Sequence, residues 1–333
     1  MERPKISVVM PTFERRESLA RTLQGLGRQT YPVTDFEVVV VDDGSTDGTL
    51  SWLATASTPF RLRPIGQVHG GPAAARNRGV AEARGALIVF VDDDVAPDAD
   101  LLAAHAEAHA TAADSVVIGP MLPPDGWPRP AWIRWEEAKL AVEYEAMRAG
   151  RYACTPRQFF TGNASLARSR FIAAGGFDHG FGRAEDVELG YRLRDAGMRF
   201  VFEPRAAVRH YARRTFASWR RTPYEYGRSD VAMDRDKGHE ALGLAYREFH
   251  GRHPLSRALA RGCVGRPAAF AAVTLLLRAV VRVADAAGAD RPAAAGLSAL
   301  FNLLYWQGVS DALGGRHAVW RSVAEQSPAA VYR

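Results

Sequence analysis

Three short apolar runs, each rich in β-branched residues, restrict the fold of this chain more than any other feature of its sequence. They read KISVVMPTF, FEVVVVDDG and ALIVFVDDD, and each ends in polar or turn-forming residues. A segment with helical spacing, marked by Leu19, Leu23 and Leu26, lies between the first two runs, and GGPAAARNRGVAEARG lies between the second and the third. This alternation of strand and helix predicts right-handed βαβ units, and hence an α/β domain built on a mostly parallel sheet.

The polar ends of these three predicted strands are where a ligand is expected. In open parallel sheets, ligands bind beyond the carboxyl ends of the strands. The residues at those ends are Pro11, Thr12 and Phe13 in the first run, Asp42 and Asp43 in the second, and Asp92, Asp93 and Asp94 in the third. The sequence therefore predicts a binding site among these acids.

The three consecutive carboxylates Asp92, Asp93 and Asp94 indicate a missing positive charge. Carboxylates this close repel one another and raise one another's pKa. In a D-x-D arrangement at a strand end they are hard oxygen ligands, suited to Mg²⁺ or Mn²⁺, which usually also bind substrate phosphate oxygens. We therefore expect a metal that bridges a diphosphate; the alternative interpretation is an acidic surface loop.

Three other residues have both a functional and a purely structural interpretation. Arg76 can approach a nucleotide from the second predicted helix, or it is a surface arginine. Phe13 offers a ring on which a base could stack, or it is a core aromatic. Asp186 lies near the first turn of a helix predicted over EDVELGYRL. There it would accept a proton from an attacking hydroxyl, or it would only cap the helix together with Glu185.

The basic charge of the chain is concentrated in its C-terminal part. The formal net charge is +6, and residues 201–333 carry 20 Lys and Arg against 11 Asp and Glu, or +9, which leaves −3 for residues 1–200. No helix-turn-helix or RNP-like motif accompanies this charge, so we expect no nucleic-acid partner and favour an anionic membrane surface. A solvated basic face is the alternative.

The cysteines and the N-terminal residues together predict the cellular compartment of the protein. Cys154 and Cys263 match neither a disulfide framework nor a zinc knuckle, which favours a reducing environment. The opening MERPKISVVMP runs from a few charges into a short strand, without the apolar region of a signal peptide. We therefore expect a cytoplasmic protein, with the option of peripheral binding to the inner face of the plasma membrane. No uninterrupted apolar run of about 18 residues is present, so no spanning helix is expected.

The 333-residue chain is long enough for two domains, with a predicted boundary near residue 215. Residues 216–333 are Arg- and Ala-rich and mostly helical, with two apolar segments, FAAVTLLLRAVVRVADAAG and LSALFNLLYWQGVSDAL. The first is judged too short, and too interrupted by Arg278 and Arg282, to span a bilayer. The second carries aromatics suited to a membrane interface. Together they suggest a monotopic helix pair on an anionic leaflet; a helical cap or a homodimer interface is the alternative.

Several motifs, taken in order, resemble the family 2 inverting glycosyltransferases with the GT-A fold. The resemblance covers residues 4–212 and rests on SVVMPTFERRESLARTLQGLGRQT, EVVVVDDGSTDGT, GGPAAARNRGVAEARGALIVFVDDDVAPD, TGNASLARSRFIAAGGFD and AEDVELGYRLRDAG. It implies a Rossmann-like GT-A domain followed by a mainly helical C-terminal extension. It also implies a nucleoside-diphosphate sugar as donor, with UDP as the first expectation and GDP or dTDP as alternatives.

The resemblance also implies a role for each candidate site residue. Those expected to hold the nucleotide are Pro11, Thr12, Phe13, Asp43 and Arg76. Asp94 matches the direct metal ligand, and Asp92 or Asp93 would face the ribose and diphosphate, with Asp92 also a candidate for the metal. Asp186 matches the catalytic base. In FVFEPRAAVRHYARRT, His210 is a candidate metal ligand, with a surface histidine as the alternative.

One departure from the family pattern concerns processivity. The sequence lacks the Q-x-x-R-W element of the processive polysaccharide synthases, which favours transfer of one sugar to an acceptor hydroxyl, free or lipid-linked. The acceptor site is expected in the Trp-rich residues 127–160 and the C-terminal helices.

Alternative functions are a catalytically silent nucleotide- or membrane-binding protein and a metal-dependent phosphohydrolase or nucleotidyltransferase. A D-x-D-x-[TV] phosphatase would need Thr or Val at position 96, where this chain has Ala96.

Overall fold

The computed structural model describes residues 4–325. The chain forms two compact units. The first extends to Trp127 and resumes over Lys139–Ala212, and the second contains Pro128–Ala138 and the described residues from Arg213 onward.

Strands occur only in the first unit of the described chain. They are β1 (Ile6–Thr12), β2 (Phe36–Asp42), β3 (Arg61–Gly66), β4 (Leu87–Val91), β5 (Val95–Pro97), β6 (Ser115–Ile118), β7 (Met121–Leu122), β8 (Asn163–Ala167), β9 (Arg199–Phe202) and β10 (Val208–His210). The helices that begin before residue 200 are α1 (Arg16–Leu26), α2 (Thr49–Thr55), α3 (Pro72–Glu82), α4 (Leu101–Thr111), α5 (Ala131–Arg148), α6 (Arg168–Ala173) and α7 (Glu185–Asp195).

The main sheet has seven strands in the order β3-β2-β1-β4-β8-β6-β9. β1 is parallel to both β2 and β4, and β3 is parallel to β2, whereas β8 is antiparallel to both β4 and β6. The register pairs Thr12 with Asp42, so the two strands end at the same level. The predicted α/β class with a mostly parallel central sheet is confirmed.

The central strands are buried on both faces. Val8 and Met10 of β1 pack into a cluster with leucines of α1 and α4, whereas Val9 belongs to a cluster that includes residues of α3, α6 and α7. Successive residues of a strand point to opposite faces, so this arrangement places helices on both sides of the sheet. The sheet is therefore a rigid base for the residues that follow its strands.

Four strands of this sheet, β3, β6, β8 and β9, were missing from the sequence prediction, and two of them show why. β3 is an edge strand with Arg61, Arg63 and Pro64, so it lacks the apolar run that marked the central strands. β8, in TGNASLA, combines small and polar residues that are nevertheless buried. Both are strands because of their neighbours in the sheet rather than because of their own composition.

A second, three-stranded sheet of order β5-β10-β7 lies in the same unit. β5 follows the acidic turn after β4, and β10 pairs with it in antiparallel register, which places His210 opposite Val95. Because Val95 directly follows Asp94, this pairing brings a histidine from far along the chain to the acidic turn.

The second unit is helical. Its helices are the N-terminal part of α5, α8 (Phe216–Lys237), α9 (Ala241–Gly251), α10 (Pro254–Cys263), α11 (Pro267–Ala286), α12 (Asp290–Ala312) and α13 (Arg316–Glu325). Trp306 of α12 is only 1% exposed and packs among Tyr246, Phe249 and Trp320. Leu304 is also buried, and Phe301 is half-buried beside Trp219. The expectation of a membrane-facing ring is therefore wrong for Trp306, which lies in the core of this unit, whereas Phe301 and Tyr305 are half-buried.

α11 has the opposite character. It spans 20 residues, and by length and composition alone it is the one helix of residues 4–325 that could cross a membrane, although only 11% of its most apolar window is buried. The sequence-based judgement that this segment is too short was wrong. Leu275, Leu276 and Val283 are 66%, 63% and 71% exposed, so an apolar stripe of α11 is in contact with solvent.

Candidate active site

The first layer of the site joins the end of β1 to the acidic turn after β4. The buried Thr12 hydroxyl donates a hydrogen bond of 2.7 Å to Asp93 Oδ2. From the start of α1, Arg15 Nη1 donates to Asp93 Oδ1 at 3.1 Å and to Asp94 Oδ2 at 3.0 Å. Two neighbouring parallel strands thus deliver complementary groups to one place, as their register requires.

Asp93 is a structural member of the acidic cluster. Its side chain is buried, and burial raises the pKa of Asp93 to about 6 despite the opposing effects of Arg15 and Thr12. A carboxyl group that already uses both oxygens for Thr12 and Arg15 is less available to a ligand than its neighbours are.

Asp94 and His210 meet across the small sheet. His210 Nε2 lies 3.5 Å from Asp94 Oδ1, and Tyr211 N donates to the Asp94 carbonyl oxygen at 2.9 Å. Both side chains are partly buried. The structure therefore brings together the two residues that the family resemblance had indicated as metal ligands, although 116 positions separate them in the sequence.

Arg76 links the acidic turn to the start of α7. Its Nη2 donates to Asp92 Oδ1 at 2.7 Å, and its Nη1 donates to Glu185 Oε1 at 3.2 Å. The guanidinium is buried. Burial alone would lower the pKa of Arg76, but the carboxylates of Asp92 and Glu185 outweigh this effect and raise the pKa above its usual value. Arg76 is thus a permanently charged, fixed cation in the centre of the site and not a surface arginine.

Gly162 makes room for Asp92. A Cβ at position 162 would lie 2.9 Å from Asp92 Oδ2 and 2.6 Å from the Met121 methyl group. This close approach explains the glycine in the TGN sequence.

Asp186 is a half-buried carboxyl at the first turn of α7. Its Oδ1 accepts a hydrogen bond of 2.8 Å from Val187 N. Burial first, and the adjacent Glu185 second, raise the pKa of Asp186 to about 7, against the opposing effect of Arg76. A carboxyl group with this pKa exchanges its proton near neutral pH, which suits a general base.

Asp43 occupies a second region, at the end of β2. Its two carboxylate oxygens accept hydrogen bonds from Gly70 N at 2.9 Å and from Gly71 N at 2.8 Å, and His69 Nδ1 lies 2.9 Å from Oδ2. The His69 ring packs against Phe13 with centroids 4.4 Å apart, and Phe13 is 42% exposed. Phe13 is therefore a surface ring, not a core aromatic, and His69 was missed because no sequence motif marks it.

Backbone strain is concentrated in two loops of the site, one just before α1 and one just before α7. Within the described residues, two non-glycine residues have positive φ, Glu14 at 54° and Ala184 at 63°. Glu14 immediately precedes Arg15, and Ala184 immediately precedes Glu185 and Asp186. Strained backbone of this kind is typical of functional sites, because the surrounding structure must hold it in place.

The donor set fits a divalent cation only in part. In the part of the chain that the structure describes, no group of three or more His, Cys, Asp or Glu side chains could by itself hold a metal ion. The pair Asp94 and His210 provides one oxygen and one nitrogen. Ions such as Mg²⁺ and Mn²⁺ usually complete their coordination with water and substrate phosphate oxygens. The residues fit an ion that arrives with a diphosphate better than a permanently bound one.

Solved structures with the same architecture define the class of this fold. A mannosyltransferase from Pyrobaculum calidifontis in complex with GDP-Man and Mn²⁺ is 23% identical, with a TM-score of 0.59 over 92% of this chain and 88% of that one. TarS residues 1-349 of Staphylococcus aureus in complex with UDP is 20% identical, with a TM-score of 0.56 over 94% of this chain and 92% of that one. At these identities the likeness shows the fold alone, and this fold is GT-A.

The sequence itself gives the family. Residues 7–172 match the model described as Glycosyl transferase family 2, and the chain belongs to this family. The predicted resemblance is thereby confirmed.

Relatives with described activities align over parts of the chain. Validoxylamine A glucosyltransferase of Streptomyces hygroscopicus subsp. jinggangensis is 34% identical in an alignment of 221 positions that covers 59% of this chain and 52% of that protein. The poly(ribitol-phosphate) beta-N-acetylglucosaminyltransferase TarS of Staphylococcus aureus strain Mu50 is 39% identical over 93 residues, covering 27% of this chain and 16% of TarS. This chain spans about half the length of the first of these relatives, and less of the second.

The hydrogen bond from Thr12 to Asp93 gives a testable effect on stability. Thr12→Val removes the donor and leaves a buried carboxylate oxygen without it, which should lower the free energy of unfolding by about 1–3 kcal/mol at pH 8. The pKa of Asp93 in the folded state lies above its unfolded value, so stability falls as pH rises from about 4 to 6. In Thr12→Val the pKa of Asp93 should be higher still, so the variant should lose less free energy of unfolding at pH 5 than at pH 8. Urea unfolding of both proteins at the two pH values measures this difference.

Thr12→Ser is the matched control, because it keeps the hydroxyl and should stay close to the wild type at both pH values. An equal loss of stability at pH 5 and pH 8 in Thr12→Val would mean that the effect comes from packing and not from the Asp93 carboxylate.

Proposed function

We propose that this chain is an inverting glycosyltransferase that moves one sugar from a nucleoside-diphosphate sugar to an acceptor hydroxyl, with the help of a divalent cation. One observation carries the proposal. Two potential metal ligands, Asp94 and His210, face each other at 3.5 Å in the same acidic cluster that Arg76 connects to the region of Asp186. Such an arrangement would accommodate a diphosphate, a cation and a base.

The nucleotide end of the donor would lie beside Phe13 and Asp43. The exposed Phe13 ring offers a stacking surface for a base, and Asp43 orders the Gly70–Gly71 turn that leads into α3. Solved relatives of this fold contain UDP or GDP-Man, which supports a nucleoside diphosphate without selecting the base. UDP is the first candidate, and GDP and dTDP are the alternatives.

Asp94 and His210 would hold the cation, with Asp92 beside them. When bound, Mg²⁺ or Mn²⁺ would act as a Lewis acid toward the departing diphosphate. Arg76 orients Asp92 through a 2.7 Å hydrogen bond and fixes the position of Glu185 at the start of α7. Arg76 thereby compensates part of the negative charge of these two carboxylates, which would lower the repulsion that a bound diphosphate meets.

Asp186 would act as the general base. It would accept the proton of the acceptor hydroxyl as the hydroxyl oxygen attacks the anomeric carbon, while the bond from that carbon to the diphosphate breaks on the opposite side. This in-line displacement inverts the anomeric configuration. The raised pKa of Asp186 matches this task, because a base with a pKa near the working pH is both unprotonated and sufficiently basic.

The acceptor is a hydroxyl compound in a pathway of glycosylated metabolites, glycolipids or cell-surface polymers. The relatives are named for validoxylamine A and for poly(ribitol-phosphate), which supports this class but selects no member of it. A silent nucleotide-binding protein would show donor binding without turnover, and a phosphohydrolase would release phosphate without an acceptor. Donor turnover would exclude the first alternative, and release of the nucleoside diphosphate rather than inorganic phosphate would exclude the second.

We also propose that α11 lies on an anionic membrane surface. Arg278 and Arg282 are exposed on the same helix as this apolar stripe, and the second unit carries a formal +8, from 20 Lys and Arg against 12 Asp and Glu in residues 128–138 and 213–333. A helix at the interface can keep both arginines among lipid headgroups. At the centre of a bilayer each arginine would cost about 2.5–3.5 kcal/mol, so a surface position is favoured over a spanning one. Such a protein would be cytoplasmic and peripheral to the inner leaflet.

Asp94→Asn should abolish the Mn²⁺-dependent part of donor binding, because an amide replaces an anionic ligand of a hard cation poorly. Isothermal calorimetry of UDP with and without Mn²⁺ measures this. Asp100→Asn, at an exposed aspartate just beyond β5, is the control and should bind like the wild type. Unchanged Mn²⁺-dependent affinity in Asp94→Asn would remove Asp94 from the metal site.

Asp186→Asn should leave UDP affinity intact and lower kcat by roughly 10²-fold or more, since general-base catalysis contributes about 10² to 10⁴. In the wild type, kcat/KM should rise with pH up to about 7 and then level off, because Asp186 must lose its proton. The variant should lack this dependence. Asp195→Asn, at the exposed end of α7, is the control. Near-normal turnover in a folded Asp186→Asn protein would contradict the assignment.

Co-sedimentation with vesicles tests the membrane proposal. The wild type should pellet with vesicles of 30 mol% phosphatidylserine at low salt and be released at high salt, and Leu275→Glu should stay in the supernatant. Val142→Glu, which changes an exposed apolar residue of α5, should pellet like the wild type. If the wild type fails to bind vesicles but self-associates in analytical ultracentrifugation, the stripe is a homodimer interface and the membrane proposal is wrong.

A further inference from the structure

Arg15 occupies the acidic cluster in a way that its sequence motif does not predict. Its Nη1 lies between the two carboxylates, 3.1 Å from Asp93 Oδ1 and 3.0 Å from Asp94 Oδ2. One guanidinium nitrogen therefore bridges the buried carboxylate and the carboxylate that we expect to hold the cation. A positive group already lies where the three consecutive aspartates required one.

The two arginines of the site differ in how freely they can move. The Arg76 side chain is 7% exposed and is fixed between Asp92 and Glu185, whereas the Arg15 side chain is 48% exposed. Arg15 also belongs to the strained loop that contains Glu14, just before α1 begins. Arg15 can leave its carboxylates for solvent or for a ligand, and Arg76 cannot do so without burying an unpaired charge.

Arg15 and a divalent cation would compete for Asp94. The two oxygens of Asp94 have different neighbours: Oδ2 faces Arg15 at 3.0 Å, and Oδ1 faces His210 at 3.5 Å. A cation held by Asp94 and His210 would draw on the same carboxylate charge and would repel the guanidinium beside it. Binding of the cation would therefore weaken the ion pair between Asp94 and Arg15.

We propose that Arg15 is an internal substitute for the cation. In the metal-free protein Arg15 forms an ion pair with Asp94, and when donor and cation bind together Arg15 moves to the donor diphosphate. This inference rests on the proposed function and extends it to a residue outside the predicted site. A guanidinium forms strong paired hydrogen bonds with phosphate oxygens, so the released Arg15 has a suitable new partner. It is a donor-binding residue and takes no part in proton transfer.

The proposal requires that Arg15 affects two affinities in opposite directions. It opposes the binding of a cation alone, because it competes for Asp94. It favours the binding of a nucleoside diphosphate in the presence of the cation, because it supplies a contact to the diphosphate. Arg15 therefore couples the two ligands, and each should increase the affinity of the other more in the wild type than in a variant without Arg15.

Calorimetry on Arg15→Gln tests both directions. The first titration uses Mn²⁺ alone, and the second uses UDP at saturating Mn²⁺. Loss of one charge-assisted contact typically changes affinity by about tenfold or more. We expect Arg15→Gln to bind Mn²⁺ several-fold more tightly than the wild type and to bind UDP about tenfold more weakly. A purely structural role of Arg15 would weaken both affinities or neither.

Two further variants control the charge and the neighbourhood. Arg16→Gln removes the adjacent arginine, whose guanidinium lies over the Trp52 ring at 5.6 Å, and should leave both affinities unchanged. Arg15→Lys keeps the charge without the planar fork, so it should bind Mn²⁺ like the wild type and recover only part of the UDP affinity. Thermal unfolding of each variant monitors the fold.

The outcomes separate this inference from the function on which it rests. If the wild type binds UDP in a Mn²⁺-dependent way and Arg15→Gln has the same two affinities, the role of Arg15 is wrong and the proposed function stands. If Arg15→Gln loses affinity for Mn²⁺ as well as for UDP, the competition is wrong. If the wild type binds no UDP at any Mn²⁺ concentration, both proposals fail.

Discussion

Compensation of negative charge is the constraint on which the rest of the site depends. Asp92, Asp93 and Asp94 follow a buried strand, and the start of α7 brings two further acids close to them. Two arginines neutralise this charge: Arg76 of α3 contacts Asp92 from the interior, and Arg15, just before α1, contacts Asp93 and Asp94 from the solvent side. One of these arginines is therefore fixed in the interior, with its side chain 7% exposed, and the other is accessible, with its side chain 48% exposed.

The mixed topology of the first unit makes this arrangement possible. The parallel strands β1, β2 and β4 deliver Thr12, Asp43 and the acidic turn to one edge of the sheet. Two antiparallel strands, β8 and β10, position further residues of the site. β8 follows Gly162, which makes room for Asp92, and β10 in the small sheet returns His210 to Asp94. The nucleotide end and the cation end of the proposed site therefore depend on different parts of the chain.

The second unit shows how apolar helices of similar composition come to differ. The aromatic residues of α12 lie in a core, with Trp306 only 1% exposed, whereas leucines of α11 lie on its surface. Hydrophobicity identified both segments as apolar helices but did not decide which face of each would be covered. The exposed apolar stripe of α11 is therefore the surface to which a proposal about an external partner applies.

The sequence by itself determined the α/β class, the family and most of the candidate residues, because apolar runs that end in acids are local patterns that require no knowledge of the rest of the fold. Tertiary structure decided the remainder. The edge strand β3, with Arg61, Arg63 and Pro64, is a strand only because β2 pairs with it. The contacts of Arg15 and His69 were unpredictable, since an arginine or a histidine has no partner until the fold brings a carboxylate within about 3 Å. The opposite fates of α11 and α12 were likewise decided by packing, because burial is a property of neighbours that the local sequence does not specify.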